Sequence, residues 1–437
     1  MRRSCIALML MGVQWAQAEV QKFMSSPANV VKVTLTMAVF AVVLVLAVNA
    51  DFYKYSIVDV FMALALGAAF VTLSVMQPSW TNFAGVAVCS VVLAEIDYRV
   101  MGFRPRLMAP FAFVGLSSLA VLGARTIWAR NRERTLLLYA LLPAVASLGS
   151  EYLSPILMHA TEALHPKTLD LYLYSFDCSL RIQFSFLVGQ FFARHEWLNL
   201  AGTVFYIALP LPLALVYAAN LRLKGPDAFQ VMLAFLVTGP IGILYYNLVP
   251  ATGPIHIFGQ NFPWHPLSTG QAMNLILETL AVKGPRNAIP SLHMAWVLLV
   301  WWNSKGLARW IRVVALAFVI FTVLATLGIG EHYFVDLVVA FPFALMVQSL
   351  CRYSVPLQHS GRRTALLFGT FVSLIWMALL SFATPFFWVS AVIPWAMVIA
   401  TISVSSFLAQ RLQSAAVGTE RVQLKLGAEA RPLTATG

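Results

Sequence analysis

The sequence predicts an all-α, polytopic integral membrane protein of about 12 transmembrane helices. Three observations lead there. Of the 437 residues, 60% are hydrophobic and only 11% are charged, whereas a soluble domain of this size carries roughly a quarter charged residues. The apolar residues fall into long continuous runs, and about 20 such residues are what a helix needs to cross a hydrocarbon core roughly 30 Å thick. The runs lack the two-residue alternation of barrel strands, which disfavours a sheet.

The runs lie at 30–50, 57–76, 81–97, 107–127, 135–157, 196–221, 228–250, 288–302, 313–330, 334–351, 364–384 and 388–410. Ahead of them, 1–29 is a signal-like or interfacial segment: Arg2 and Arg3, an apolar stretch, then Ala16-Gln17-Ala18 have the order of a secretory leader. The organisation read from this pattern is 30–134 as N-terminal membrane helices, 135–351 as a central unit, 352–411 as C-terminal membrane helices and 412–437 as a polar, loose tail.

The net charge of +12 does not imply nucleic-acid binding. The basic residues sit in short clusters between apolar runs, as cytoplasmic loops do, and no basic recognition fold accompanies them. Arg125–Arg134, Arg222–Lys224, Lys305–Arg312, Arg352–Arg363 and Arg411–Lys425 are separated by pairs of runs, so all five face one side together. Arg99, Arg104 and Arg106 break the pattern unless 107–127 is re-entrant. Segments 158–195 and 251–287 then lie on the outer side, the first reading as a helix in the membrane interface. Cys5, Cys89, Cys178 and Cys351 show neither metal spacing nor a disulfide framework, and no metal or other cofactor is called for.

Two stretches can do chemistry. Lys283-Gly-Pro-Arg-Asn-Ala-Ile-Pro-Ser-Leu-His293 opens a helix from the outer side. Free amides at a helix start attract an anion, and Arg286, Lys283, Ser291 and His293 add donors and charge, so this stretch reads as a phosphate cradle. Arg286 and Lys283 also fit the role of interfacial anchors, and Ser291 that of a helix cap. The second stretch is Gly328-Ile-Gly-Glu-His-Tyr-Phe-Val-Asp336. On a helix, His332 and Asp336 share a face. The carboxylate can hold one imidazole nitrogen protonated and leave the other free to attack. Both histidines fall on the outer membrane face, so His332 can take a phosphoryl group while His293 protonates the leaving oxygen.

Pro290-Ser-Leu-His293 followed by His332-Tyr-Phe-Val-Asp336 resembles the second and third motifs of the type 2 phosphatidic acid phosphatase (PAP2) superfamily. Gly330–Asp336, Pro250-Ala-Thr-Gly-Pro254 and Leu171–Leu180 resemble the branch that holds inositol phosphorylceramide synthases. The resemblance covers 135–351 and implies a six-helix catalytic core with His332 as nucleophile, Asp336 as its orienter and His293 as general acid. It further implies a membrane enzyme acting on a lipid phosphate substrate and leaning to transfer onto an alcohol or polyol acceptor, with hydrolysis as the alternative. The expected setting is among the lipids of a bacterial inner membrane, with the site facing outward. Two departures stand: Ala325 and Thr326 replace a Ser-Arg pair, and the first motif is absent in its usual form. A non-catalytic lipid transporter or binding protein is the rival from another class.

Overall fold

A computed structural model describes residues 57–76, 79–101 and 109–429. The signal-like segment, the apolar run at 30–50, Arg104, Arg106 and residues 430–437 lie outside the described residues. The rest is mostly helical, as apolar chain in lipid must be, because only a helix or a closed barrel satisfies every backbone group without water.

Four helices lead: α1 (Ile57–Val75), α2 (Trp80–Met101), α3 (Ala109–Trp128) and α4 (Asn131–Leu164). A two-residue strand β1 (Lys167–Thr168) follows, then α5 (Asp170–Ser179), α6 (Phe184–Arg194), α7 (Glu196–Ile207), α8 (Pro210–Lys224) and α9 (Phe229–Leu248). The outer segment holds short helices α10 (Pro254–Phe258) and α11 (Thr269–Met273) and strand β2 (Leu280–Ala281), which pairs antiparallel with β1. The chain ends through α12 (Leu292–Asn303), α13 (Arg309–Gly328), α14 (Phe334–Cys351), α15 (Ser360–Phe382) and α16 (Val392–Glu429).

Seven helical runs among the described residues are long and apolar enough to cross a membrane, and the expected run at 30–50 lies outside those residues. One of them, Pro210–Leu248, spans 39 residues, about twice what a bilayer needs. It is divided by a turn at Gly225–Ala228, with Gly225 at φ +62°, into α8 and α9, both packed on α4. The run at 288–302 yields only the 12 residues of α12, and the run at 196–221 is broken between α7 and α8 ahead of Pro210. The tail expected to be loose is helical as far as Glu429.

Helix α14 is the axis of the fold. It packs against α9, α12, α15 and α16, and 83% of its length is buried, so the residues just before it are held by the most constrained part of the molecule. At its far end Asn303 and Gln348 exchange amide hydrogen bonds of 2.9 and 3.2 Å, and Arg352 donates to the Asn303 carbonyl oxygen at 3.0 Å. Interhelical polar bonds of this kind fix helix register where no hydrophobic effect acts between spans.

Helix α5 differs from expectation. It does not lie in an interface but is buried along nearly its whole length. The Phe176 ring packs edge-on against Trp376 and Phe387, Trp388 donates to the Ser175 hydroxyl at 3.0 Å, and Trp395 donates to the Leu180 carbonyl at 3.2 Å. Phe176 and Phe184 form part of the surface on which the C-terminal helices dock, whereas Tyr172 and Tyr174 face the outer segment.

Candidate active site

Two helix starts meet here. Ser291 caps α12, its hydroxyl accepting from the Met294 amide at 3.3 Å, as serine does at this position. At the start of α14 the Phe334 and Val335 amides donate to Asp177 at 2.7 and 3.1 Å, and the Tyr333 amide donates to Asp336 at 2.7 Å. Carboxylates are favoured there by the free amides and the helix dipole. The Ser291 amide donates to the Asp336 carbonyl at 3.1 Å, which joins the two starts directly.

His332 lies in the turn before α14, not on the helix as its spacing to Asp336 suggested. It is only 2% exposed, and every polar atom it owns is engaged. Its amide donates to the Thr326 carbonyl at 3.2 Å, and its carbonyl accepts from the Ser185 hydroxyl at 2.9 Å. Ring Nδ1 is 2.8 Å from the Ala288 carbonyl oxygen and 3.4 Å from Asp336 Oδ2, while Nε2 is 3.2 Å from the Ser291 hydroxyl. A carbonyl can only accept, so Nδ1 carries the proton and Nε2 keeps its lone pair. The backbone carbonyl is therefore the nearer partner in fixing the tautomer, and Asp336 stands behind it. One oxygen of Asp336, Oδ1, is buried with no partner among the described residues.

The segment Pro250-Ala-Thr-Gly-Pro254 is the hub that brings these pieces into register. The Pro250 carbonyl accepts from the Leu169 amide at 2.7 Å, Ala251 accepts from the Ala288 amide at 3.1 Å, and the Ile255 amide donates to Gly330 at 2.9 Å. The Thr252 and Gly253 amides and the Thr252 hydroxyl converge on the Asp170 carboxylate at 2.9–3.2 Å, and Tyr333 donates its hydroxyl to the same group at 3.0 Å. The two aspartates of α5, seven positions apart, thus grip the hub with one end and the His332 turn with the other. A buried carboxylate is tolerable only with such a complement of donors.

His293 stands on the first turn of α12, half-buried. Its ring stacks on Tyr206 with centroids 3.8 Å apart and planes at 21°, and it meets Trp296 edge-on at 6.1 Å. It is close enough to His332 for the two to interact electrostatically. Arg286 takes a different place from the cradle expected of it. It is 1% exposed, and its guanidinium donates to the carbonyls of His165, Pro166, Val282 and Gly284, with Glu162 at 4.0 Å. With its donors so used it clamps the outer loop. Lys283 is exposed on the same loop. Ala325 and Thr326 are fully buried, and the contribution of Thr326 is its backbone carbonyl.

The clamp has a measurable consequence. Arg286→Met is expected to destabilise the protein by about 2 kcal/mol or more, because four loop carbonyls lose the donor that ties them together, while Lys283→Met is expected to change stability by less than about 0.5 kcal/mol. Thermal unfolding of the two variants in detergent separates them.

Burial holds the His332 imidazole well below its usual range, at about 4, against smaller opposing effects of Glu331 and the Ala288 carbonyl. The ring is neutral at physiological pH, as a nucleophile must be. The unfolded chain binds this proton near pH 6.5 and the folded chain only near 4, so stability is complete above 6.5 and declines as pH falls toward 4. The loss reaches about 3 kcal/mol. Unfolding midpoints measured from pH 7.5 to 4.5 are expected to fall, with a shallower fall in His332→Gln.

The sequence did not single out Asp170, Asp177, Ser185, Tyr206 or Tyr333 as site residues. For the aspartates a signal existed, since carboxylates among apolar residues are costly and tend to be functional. Tyr206 gave none. Among the described residues no group of three or more His, Cys, Asp or Glu is placed to hold a metal ion.

A family model of the PAP2 superfamily matches residues 171–350. The matched segment takes in Asp177, both histidines and Asp336, and so covers most of the constellation just described. No curated protein and no solved structure matches the chain.

Proposed function

We propose that this chain is a membrane enzyme that moves the phosphoryl group of a lipid phosphate through a phosphohistidine at its extracytoplasmic face, leaning to transfer rather than hydrolysis. The carrying observation is the fixed tautomer of His332, with Nδ1 bonded to the Ala288 carbonyl and the Nε2 lone pair turned to the Ser291 hydroxyl, which an entering phosphoryl group would displace. In the first step Nε2 attacks phosphorus, the bond to the lipid oxygen breaks, and His293 gives that oxygen its proton. The imidazolium formed is held at Nδ1 by Ala288, with Asp336 Oδ2, which also accepts from the Tyr333 amide, 3.4 Å away to balance charge. In the second step His293 takes the proton of an alcohol or water, that oxygen attacks phosphorus, and the P–N bond breaks to restore His332.

Ser291 lies against Nε2 in the resting site and is the donor nearest to an entering phosphoryl oxygen. Arg286 supports the reaction by holding the loop that ends in Ala288, and Lys283 remains a substrate contact to be tested at the outer surface. The outward orientation rests on the five concordant basic loops. Residues 135–351 form the catalytic core in this reading, flanked by helices on either side.

The test is to incubate the purified full chain with a panel of lipid phosphates, with and without polyol and alcohol acceptors. Release of inorganic phosphate marks hydrolysis, and phosphoryl transfer to the acceptor marks a transferase. If folded protein gives neither with any member of the panel, the enzyme reading is wrong and a lipid transporter or binding protein takes its place.

A further inference from the structure

The ring of His293 is held in an unusual way for a group that must deliver a proton. Among the described residues neither of its nitrogens has a hydrogen-bond partner. Its face lies instead on the ring of Tyr206, 3.8 Å away and 21° from parallel, and its flank meets Trp296 at 87°. Trp296 is itself fixed, its indole N–H donating to the Phe235 carbonyl at 3.0 Å. Tyr206 belongs to the last turn of α7, an element otherwise remote in sequence from both histidines. His293 and Tyr206 are both half-buried, unlike the sealed His332, so this pair is the accessible part of the site.

An aromatic face carries negative charge density and attracts a cation laid upon it. Burial and the neighbouring His332 both work against protonation of His293; stacking on Tyr206 opposes them and leaves both N–H groups of the cation free. A hydrogen-bonded carboxylate would also favour the cation, but it would occupy one nitrogen and hold its proton back. We propose that Tyr206 is a positioning residue for His293, setting the plane of its ring and favouring its protonated form for donation to the leaving oxygen. This role rests on the phosphoryl-transfer reading above. The other titratable groups about the pair are His332 and Glu331 from the turn before α14 and Tyr246 from α9. They are unchanged in the variants below.

Two variants separate the stacked ring from the hydroxyl. Tyr206→Phe keeps the aromatic face and is expected to retain turnover within about threefold of the natural protein. Tyr206→Leu fills similar space without a π-face, and kcat is expected to fall roughly 10- to 100-fold, part of what a general acid contributes, with KM changed by less than about twofold. The alkaline limb of the kcat profile, where the acid loses its proton, should move down by about 0.5–1 pH unit. With a nitrophenyl phosphate ester, whose leaving group needs no proton, the Leu variant should match the natural protein, and Tyr206→Leu added to His293→Ala should cost nothing more.

A Leu variant equally slow on both ester types, or one whose alkaline limb stays put while His293→Ala is slow, would overturn the role of Tyr206 alone. His293→Ala turning over lipid phosphate at the natural rate would overturn the general-acid reading on which it rests. An NMR titration of His293 adds an arm independent of activity: a lower midpoint in Tyr206→Leu but not in Tyr206→Phe is expected, and equal midpoints would refute the proposal.

Discussion

His332→Gln is expected to lower kcat on a lipid phosphate by a factor on the order of 10^6, the scale on which removal of a covalent nucleophile acts, while KM stays near its natural value. The basis is geometric. Nδ1 is committed to a carbonyl that can only accept, and Nε2 is the single atom of the ring left with a lone pair. Glutamine is the better test than alanine, because its amide can still donate to Ala288 and approach Ser291, which limits the loss of packing in a residue only 2% exposed. The variant should therefore fold, and steady-state kinetics of the natural and variant proteins at equal folded concentration measure the effect. A fall of less than about tenfold would show that the phosphoryl group never resides on this ring.

The second large effect concerns the scaffold. Gly253→Ala is expected to destabilise the protein by roughly 3 kcal/mol or more and to abolish activity with it. Gly253 sits at φ +107°, where side chains are strained, and a Cβ there would overlap the Glu331 carbonyl and press on that of Gly330 at 3.1 Å. The Gly330 carbonyl is held by Ile255 and the Gly253 amide by Asp170, so the strain falls on the Glu331 carbonyl. The displacement would pass directly to His332, one residue beyond Glu331. Gly270→Ala is the control. Its φ lies outside the left-handed region and nothing lies within 4 Å of its Cβ position, so stability should change by less than about 1 kcal/mol. Unfolding midpoints of the pair in detergent check both values.

The membrane class was legible because it follows from one physical fact: apolar runs of about 20 residues can be solvated only by lipid. The number of spans was less so. Hydropathy does not show that α12 starts only at the Ser291 cap, or that Pro210 breaks one run into two helices. Within the site, spacing pointed to Ser291, His332 and Asp336, and the structure brings these three together. Spacing misjudged the means, since His332 reaches Asp336 from a turn and not along a helix face. The partners of Arg286 are backbone carbonyls, which no pattern of side chains reveals, so a clamp read as a phosphate ligand. Asp170 and Asp177 read as charges of an interfacial helix because burial is set by what packs on a helix. Here that includes Trp376, Phe387 and Trp388, some 200 residues further along the chain.

The most direct measurement of the central claim is the chemistry of the trapped intermediate. The natural protein and His332→Gln would be mixed with a lipid phosphate labelled in its phosphoryl group, quenched within a turnover, and the protein-bound label exposed to acid and to base. A phosphohistidine is expected: label stable in base, lost in acid, and absent from His332→Gln. Label that survives acid, is released by base and persists in His332→Gln would place the phosphoryl group on a hydroxyl such as that of Ser291, and would contradict His332 as the nucleophile.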